Sequence, residues 1–215
     1  RVEAVSVGGQ DIAQIFDTAG NDQILSDAGN AKIISSHQTV SANEFQVVNI
    51  VANKGGFDQA FVNGTDGADA AHVEVDRIRI DNSDGRTNRV IGVDKTELDL
   101  RGGEDRAYLT GSGGRETLVA SYNSIEFEST LQMLQMVNAE HTKFDGDGGA
   151  DEVFLEDLDL LESLGDEAKG YLKDRTIRVE DFAVLEAKSV DSSFADYEME
   201  AIEYLYMLRG QWAKK

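Results

Sequence analysis

The stretch Gly55-Gly56-Phe57-Asp58-Gln59-Ala60-Phe61-Val62 decides how this chain is read, because three other stretches repeat it without gaps. They are Gly8-Gly9-Gln10-Asp11-Ile12-Ala13-Gln14-Ile15, Gly102-Gly103-Glu104-Asp105-Arg106-Ala107-Tyr108-Leu109 and Gly148-Gly149-Ala150-Asp151-Glu152-Val153-Phe154-Leu155. The shared pattern is G-G-x-D-x-[AV]-x-[ILV]. Its second glycine recurs after 47, 47 and 46 residues. A period of that size is the mark of a repeat architecture, in which one supersecondary unit buries its apolar face only against copies of itself.

The likeness runs beyond the motif. Eleven residues after each aspartate stands a second acid, at Asp22, Asp69, Glu116 and Glu162. In the first three copies a glycine precedes it by two positions (Gly20, Gly67, Gly114), and Thr18, Thr65 and Ser112 match as well. The fourth copy reads Leu158-Asp159-Leu160-Leu161 and lacks that glycine. A last partial copy, Asp181-Phe182-Ala183-Val184-Leu185-Glu186-Ala187, resembles Glu44-Phe45-Gln46-Val47-Val48-Asn49-Ile50 at an offset of 137 residues, close to three repeats.

Each motif reads as a turn followed by a strand. Paired glycines supply a tightly bent or positive-φ backbone, and the aspartate caps the turn by accepting N–H groups. Behind it, small and branched residues (Ala13, Ile15; Ala60, Val62; Ala107, Leu109) alternate at period two with Gln14, Phe61, Tyr108 and Phe154, as on a half-buried strand. Short apolar runs between Gly, Asn, Asp and Ser clusters fill the rest. The sequence therefore predicts a mainly β fold, a repeat-built β-solenoid resembling a parallel β-helix, over residues 1–190. Its four repeats of about 47 residues start near residues 8, 55, 102 and 148. A β-propeller and a β-sandwich accept the same period and stay open. Two rungs per repeat would give on the order of eight rungs and about 38 Å of rod.

The C-terminal part changes character. Residues 140–215 hold 20 acids against 9 bases, whereas residues 1–139 hold 21 against 11. Leu158 to Leu164 reads as a short helix. From Ser193-Phe194 to Arg209-Gly210, Phe194, Ile202, Leu205, Leu208 and Trp212 recur at helical spacing, acids crowd the first turns and Arg209 with Gly210 closes the run. Residues 191–215 are thus expected to form a capping α-helix over the open end of the solenoid, whose last rung exposes unpaired strand edges.

Composition narrows the function. The 215 residues carry 20 basic and 41 acidic side chains, a formal charge of −21. Such an excess of acid argues against nucleic-acid binding, which needs clustered Lys and Arg, and against docking on anionic lipid. No run approaches the roughly 18 to 20 apolar residues that cross a bilayer as a helix. With no cysteine in the chain, disulfides, thiolate catalysis and Cys-ligated metals are out. The chain opens at Arg1-Val2-Glu3 without Met, which reads as a processed start or as the boundary of a piece of a longer protein.

The Gly-Gly-x-Asp units, with Thr18-Ala19-Gly20-Asn21-Asp22-Gln23-Ile24-Leu25 behind the first, resemble the glycine–aspartate repeats of secreted and surface β-solenoid proteins of bacteria. More distantly they are similar to the calcium-binding RTX nonapeptides, Asp147-Gly148-Gly149-Ala150-Asp151-Glu152-Val153-Phe154-Leu155 being the nearest local match. The paired acids stand eleven apart, in place of the nine-residue RTX step. The resemblance implies an extracellular, cell-surface or periplasmic setting.

The column Asp11, Asp58, Asp105, Asp151 has two readings: turn-capping carboxylates, or hard-ion ligands. The densest oxygen cluster is Asp145, Asp147 and Asp151 with Glu156, whose spacing echoes an EF-hand loop and makes these four the expected calcium ligands if the protein takes that ion; no cofactor is required. Phe61, Tyr108 and Phe154 form an aromatic column, either core or an exposed strip for sugar rings. His37, His72 and His141 fall at unrelated phases of the repeat, and no nucleophile-elbow, zincin or P-loop motif occurs. A non-catalytic structural or interaction protein is the leading expectation, an extracytoplasmic element of a surface protein, filament or larger complex whose partners are other subunits or surface polymers. The alternative is a carbohydrate-binding or carbohydrate-active β-helix protein, with acids such as Asp58 and Asp105 facing each other across rungs.

Overall fold

Each 47-residue unit folds into five short strands. In the computed structural model, which describes residues 1–190 and 195–215, the first unit gives β2 (Ile12–Phe16), β3 (Gln23–Asp27), β4 (Asn30–Ile34), β5 (Thr39–Asn43) and β6 (Val47–Val51). The second gives β7 (Gln59–Asn63), β8 (Ala70–Glu74), β9 (Arg77–Asp81), β10 (Thr87–Ile91) and β11 (Lys95–Asp99). The third gives β12 (Arg106–Thr110), β13 (Thr117–Ala120), β14 (Ile125–Glu128), β15 (Met133–Val137) and β16 (His141–Asp145). The fourth gives β17 (Glu152–Leu158), β18 (Leu160–Leu164), β19 (Glu167–Leu172), β20 (Arg175–Glu180) and β21 (Val184–Ser189). One strand precedes the array, β1 (Val2–Val5). Three follow it: β22 (Ala195–Glu200), β23 (Leu205–Arg209) and β24 (Trp212–Lys214).

The strands stack into two facing sheets of twelve. Sheet A runs β1-β5-β4-β3-β7-β11-β15-β14-β13-β17-β21-β23, and sheet B runs β2-β6-β10-β9-β8-β12-β16-β20-β19-β18-β22-β24. This is a β-solenoid. The second to fourth strands of every unit form an antiparallel meander in one sheet, and pairing between meanders and single strands is parallel. Twelve levels at about 4.8 Å make a rod of about 53 Å, longer than the eight rungs expected. The reason is the meander, which gives each unit two and a half levels. Because five is odd, each copy starts in the opposite sheet from the last: β2 and β12 lie in sheet B, β7 and β17 in sheet A.

The core lies between the sheets and is built from the alternating positions. Ala60, Val62, Ala107, Leu109, Val153 and Leu155 are buried, and Phe127 and Phe144 meet at 5.9 Å near the middle. The partial copy at 181–187 is real: β21 occupies the place of β6 three units on. Three residues before the last strand of each unit, Glu44, Gly92, Asn138 and Asp181 all take positive φ, of 64°, 77°, 59° and 52°.

Two helical expectations fail. Leu158–Leu164 runs from the end of β17 into β18, and no helix occurs among the described residues. The expected cap opens at residues 191–194, which lie outside the described residues, and its remainder is β22, β23 and β24. Here β22 pairs with β18, β23 with β21, and β24 with β22. A helix would have left the edges of β18 and β21 unpaired, so backbone hydrogen bonding overrides helical periodicity. Ala201 at φ 49° and Gly210 at φ 92° turn the chain between these strands.

Candidate functional site

Carboxylates line the corners of the solenoid, where the chain passes between sheets. Asp58 accepts the backbone N–H of Asp22 at 2.8 Å, Asp105 that of Asp69 at 2.7 Å, and Asp151 that of Glu116 at 2.7 Å. The ladder continues: Asp94 accepts the N–H of Asp58 at 2.7 Å, and Glu140 that of Asp105 at 2.9 Å. The second acids close their own loops, since Thr18 N–H meets Asp22 at 2.6 Å and Ser112 N–H meets Glu116 at 3.0 Å. The repeated acids thus act on the chain's own backbone. In the fourth unit the counterpart of Asp69 is Asp159, immediately before β18. Asp159 accepts the Lys173 N–H fourteen residues on, as Asp69 accepts that of Ser83. Glu162, the acid expected there, lies inside β18.

The glycines explain themselves on the same corners. A Cβ on Gly56 would stand 2.4 Å from the carbonyl oxygen of Gly20; one on Gly103 would stand 2.7 Å from the carbonyl of Gly67; one on Gly149 would stand 2.0 Å from the carbonyl oxygen of Gly114. The second glycine of the second, third and fourth motifs therefore rests on the loop glycine of the preceding unit, backbone on backbone.

Burial leaves a strain in this arrangement. Asp105 and Asp151 are fully enclosed, and one oxygen of each has no hydrogen-bond partner among the described residues. Desolvation pushes both carboxyls up to about 6, against the pull of the backbone N–H each accepts and with the push of neighbouring acids. Asp58 is raised too, again chiefly by burial.

The four expected calcium ligands are spread apart in environment. Asp145 ends β16, Asp147 is exposed at φ 56° and donates its N–H to Asp145, Asp151 is buried under Glu116, and Glu156 points outward from β17. Among the described residues no group of three or more Asp, Glu or His side chains is arranged to hold a metal. Asp58 and Asp105 do not face each other: Asp58 opens a strand of sheet A and Asp105 one of sheet B, on opposite corners, because the sheets swap at each repeat. The same swap breaks the aromatic column. Phe61 and Phe154 lie on the outer face of sheet A, five strands apart, and Tyr108 lies on that of sheet B.

The two outer faces differ in charge. Down the middle of sheet A the register lines up Glu3, Ser41, Lys32, Leu25, Phe61, Glu97, Gln135, Glu126, Val119, Phe154, Glu186 and Met207. One cation stands there among four acids. The N-terminal half of this face forms a groove of about 640 Å³ over Leu25, Lys32 and Phe61. Down the middle of sheet B the neighbours are Arg89, Arg79, His72, Tyr108, Lys143, Arg178 and Lys169, seven consecutive row positions without an acid, before the row meets Glu162 on β18. His72 and Tyr108 stack at 5.0 Å and 15°. Sequence reading missed this row, because meanders reverse the chain order and only the register sets Arg89 beside Arg79. The alternation of cations with buried residues in Arg77-Ile78-Arg79-Ile80 was the one local signal. Compared with protein-family models, curated proteins and solved structures, this chain matches none.

Proposed function

We infer that this chain is a non-catalytic structural and interaction element: a stiff β-solenoid that presents two long, chemically different faces to partners, as part of a surface protein, filament or larger complex outside the cytoplasm. The observation that carries the reading is the corner ladder. The motif acids of the second, third and fourth units, which would be the natural candidates for carboxylate chemistry, are spent on backbone N–H groups of the neighbouring loop. What remains for function is distributed along the faces, as in repeat proteins that bind through an extended surface. The extracytoplasmic setting rests on the likeness of the Gly-Gly-x-Asp units to surface solenoid repeats.

Cross-linking of the native assembly, followed by mass spectrometry of the linked peptides, tests this. Links from outer-face lysines such as Lys32, Lys143 and Lys169 to other subunits are expected, with the chain recovered outside the cytoplasm on fractionation. A free cytoplasmic monomer, or one releasing new reducing ends from a polysaccharide panel, would overturn the reading.

A further inference from the structure

We propose that the cationic row of sheet B is a binding track for a linear carboxylated polysaccharide, a polyuronate, laid along the rod with its acid groups on successive strands. This deepens the reading of the chain as an interaction element, naming a ligand class for one of its faces.

The row is improbable on composition. In a chain with twice as many acids as bases, seven adjacent positions hold five cations, a histidine and a tyrosine. Like charges set directly opposite on neighbouring strands destabilise a sheet, and the register sets Arg89 against Arg79, Lys143 against Arg178, and Arg178 against Lys169. Acids on the flanks relieve part of this. Arg79 meets Asp81 at 2.8 Å, Arg178 meets Glu167 at 2.7 Å, and Lys143 pairs with Glu180. All are solvent-accessible pairs, with side chains 24 to 49 % exposed, so an incoming anion exchanges with them at little cost. Arg89 is held by the Asn49 side chain at 3.2 Å, and Lys169 sits 4.6 Å over the Tyr171 ring.

The geometry favours a glycan over other anions. The row runs along the rod for about 29 Å in steps of about 4.8 Å, and one pyranose extends about as far as one such step. At its centre the Tyr108 ring, 36 % exposed, stacks face to face on the His72 ring of the next strand, so the pair turns its edges and the Tyr108 hydroxyl outward, where they can hydrogen-bond sugar hydroxyls. Arg79 beside His72 and Lys143 beside Tyr108 stand on either side, and a guanidinium takes a carboxylate through two parallel hydrogen bonds. Duplex nucleic acid, by contrast, would bring a dense charge against a molecule of net −21 and needs a surface that follows a groove.

The test is binding of polygalacturonate to the full chain by affinity electrophoresis and calorimetry at low and at physiological salt. Fully methyl-esterified polygalacturonate, polyglutamate and single-stranded DNA serve as comparators. Expected are binding of the free acid that weakens with salt, none of the ester, and weaker retention of the other two polyanions. The triple variant Arg79→Gln, Lys143→Gln, Arg178→Gln and the single variant Tyr108→Ala should each lose about tenfold or more in affinity, while Lys32→Gln on sheet A leaves it unchanged. Backbone hydrogen exchange on the unmodified chain should place protection on β8, β9, β12, β16 and β20, which decides the matter even if the triple variant folds poorly. No retention, equal binding of the ester, polyglutamate or DNA bound as tightly, or protection on sheet A would each overturn the track. Cross-links to other subunits would survive any of these results.

Discussion

Asp58 takes the backbone N–H of Asp22 at 2.8 Å, across 36 residues of sequence and between two successive units. One carboxylate thus fastens the loop that enters the strand below it, and the same contact returns at Asp105 and Asp151. Replacing Asp58 by Ala leaves a buried N–H without an acceptor, at a cost of about 1 to 3 kcal/mol. Asp11 heads the first unit and is exposed, and its carboxylate accepts only from Ser6 Oγ among the described residues; Asp11→Ala should stay within about 0.5 kcal/mol of the parent. Urea titrations of the two variants check the contrast.

Adjacent glycines give a sharper one. Gly102 has open space around its Cβ position, whereas Gly103 sits at φ +142° with the Gly67 carbonyl carbon 2.7 Å from a Cβ. Gly103→Ala should destabilise by about 2 kcal/mol or more through backbone strain and the clash between units. Gly102→Ala should change the melting temperature little. Similar losses at both positions would mean that the corners do not stack as described.

Stability should rise on mild acidification. The folded carboxyls of Asp105 and Asp151 lie at about 6, above the ordinary 3.8, so the folded chain binds more protons than the unfolded one between those values. Their contribution grows as pH falls through 6 and is complete below about 4. Between about pH 7.5 and pH 5 the melting temperature should climb by a few degrees at constant ionic strength. Asp105→Asn with Asp151→Asn, which keeps the acceptor oxygen and removes the charge, should flatten much of that slope. An unchanged slope would assign the effect to the general relief of negative charge.

Asn88 should be the costliest polar residue of the interior. From β10 in sheet B its amide nitrogen reaches Ser26 Oγ at 2.6 Å and the carbonyl oxygens of Asp27 and Asn30, while its oxygen accepts the Gly29 N–H at 2.9 Å. It closes the β3–β4 turn from the opposite sheet. Asn88→Leu, of similar size, strands those groups and should cost about 3 kcal/mol. Hydrogen exchange should show β3 and β4 opening first.

Much of the fold could be read along the chain, for a definite reason. A repeat leaves the same residues at every corner, so the glycines and aspartates recur visibly, and the alternation of Ala60 and Val62 with Phe61 marks the inward face. What could not be read are contacts that join units at unlike positions. Asn88 has Val40 and Leu134 at its counterpart positions, so no column announces it. The terminal strands were hidden because Ile202, Leu205 and Leu208 fit a helical stripe, and only the presence of unpaired edges on β18 and β21 made strands the better choice.

By itself the sequence determined a 47-residue β unit with a glycine-aspartate corner and the number of its copies, since both follow from local chemistry repeated along the chain. The tertiary structure alone decided that each unit spends five strands on two sheets. That odd number throws successive copies to opposite faces, scatters the aromatic column, and gathers from distant strands the cations that face outward on sheet B.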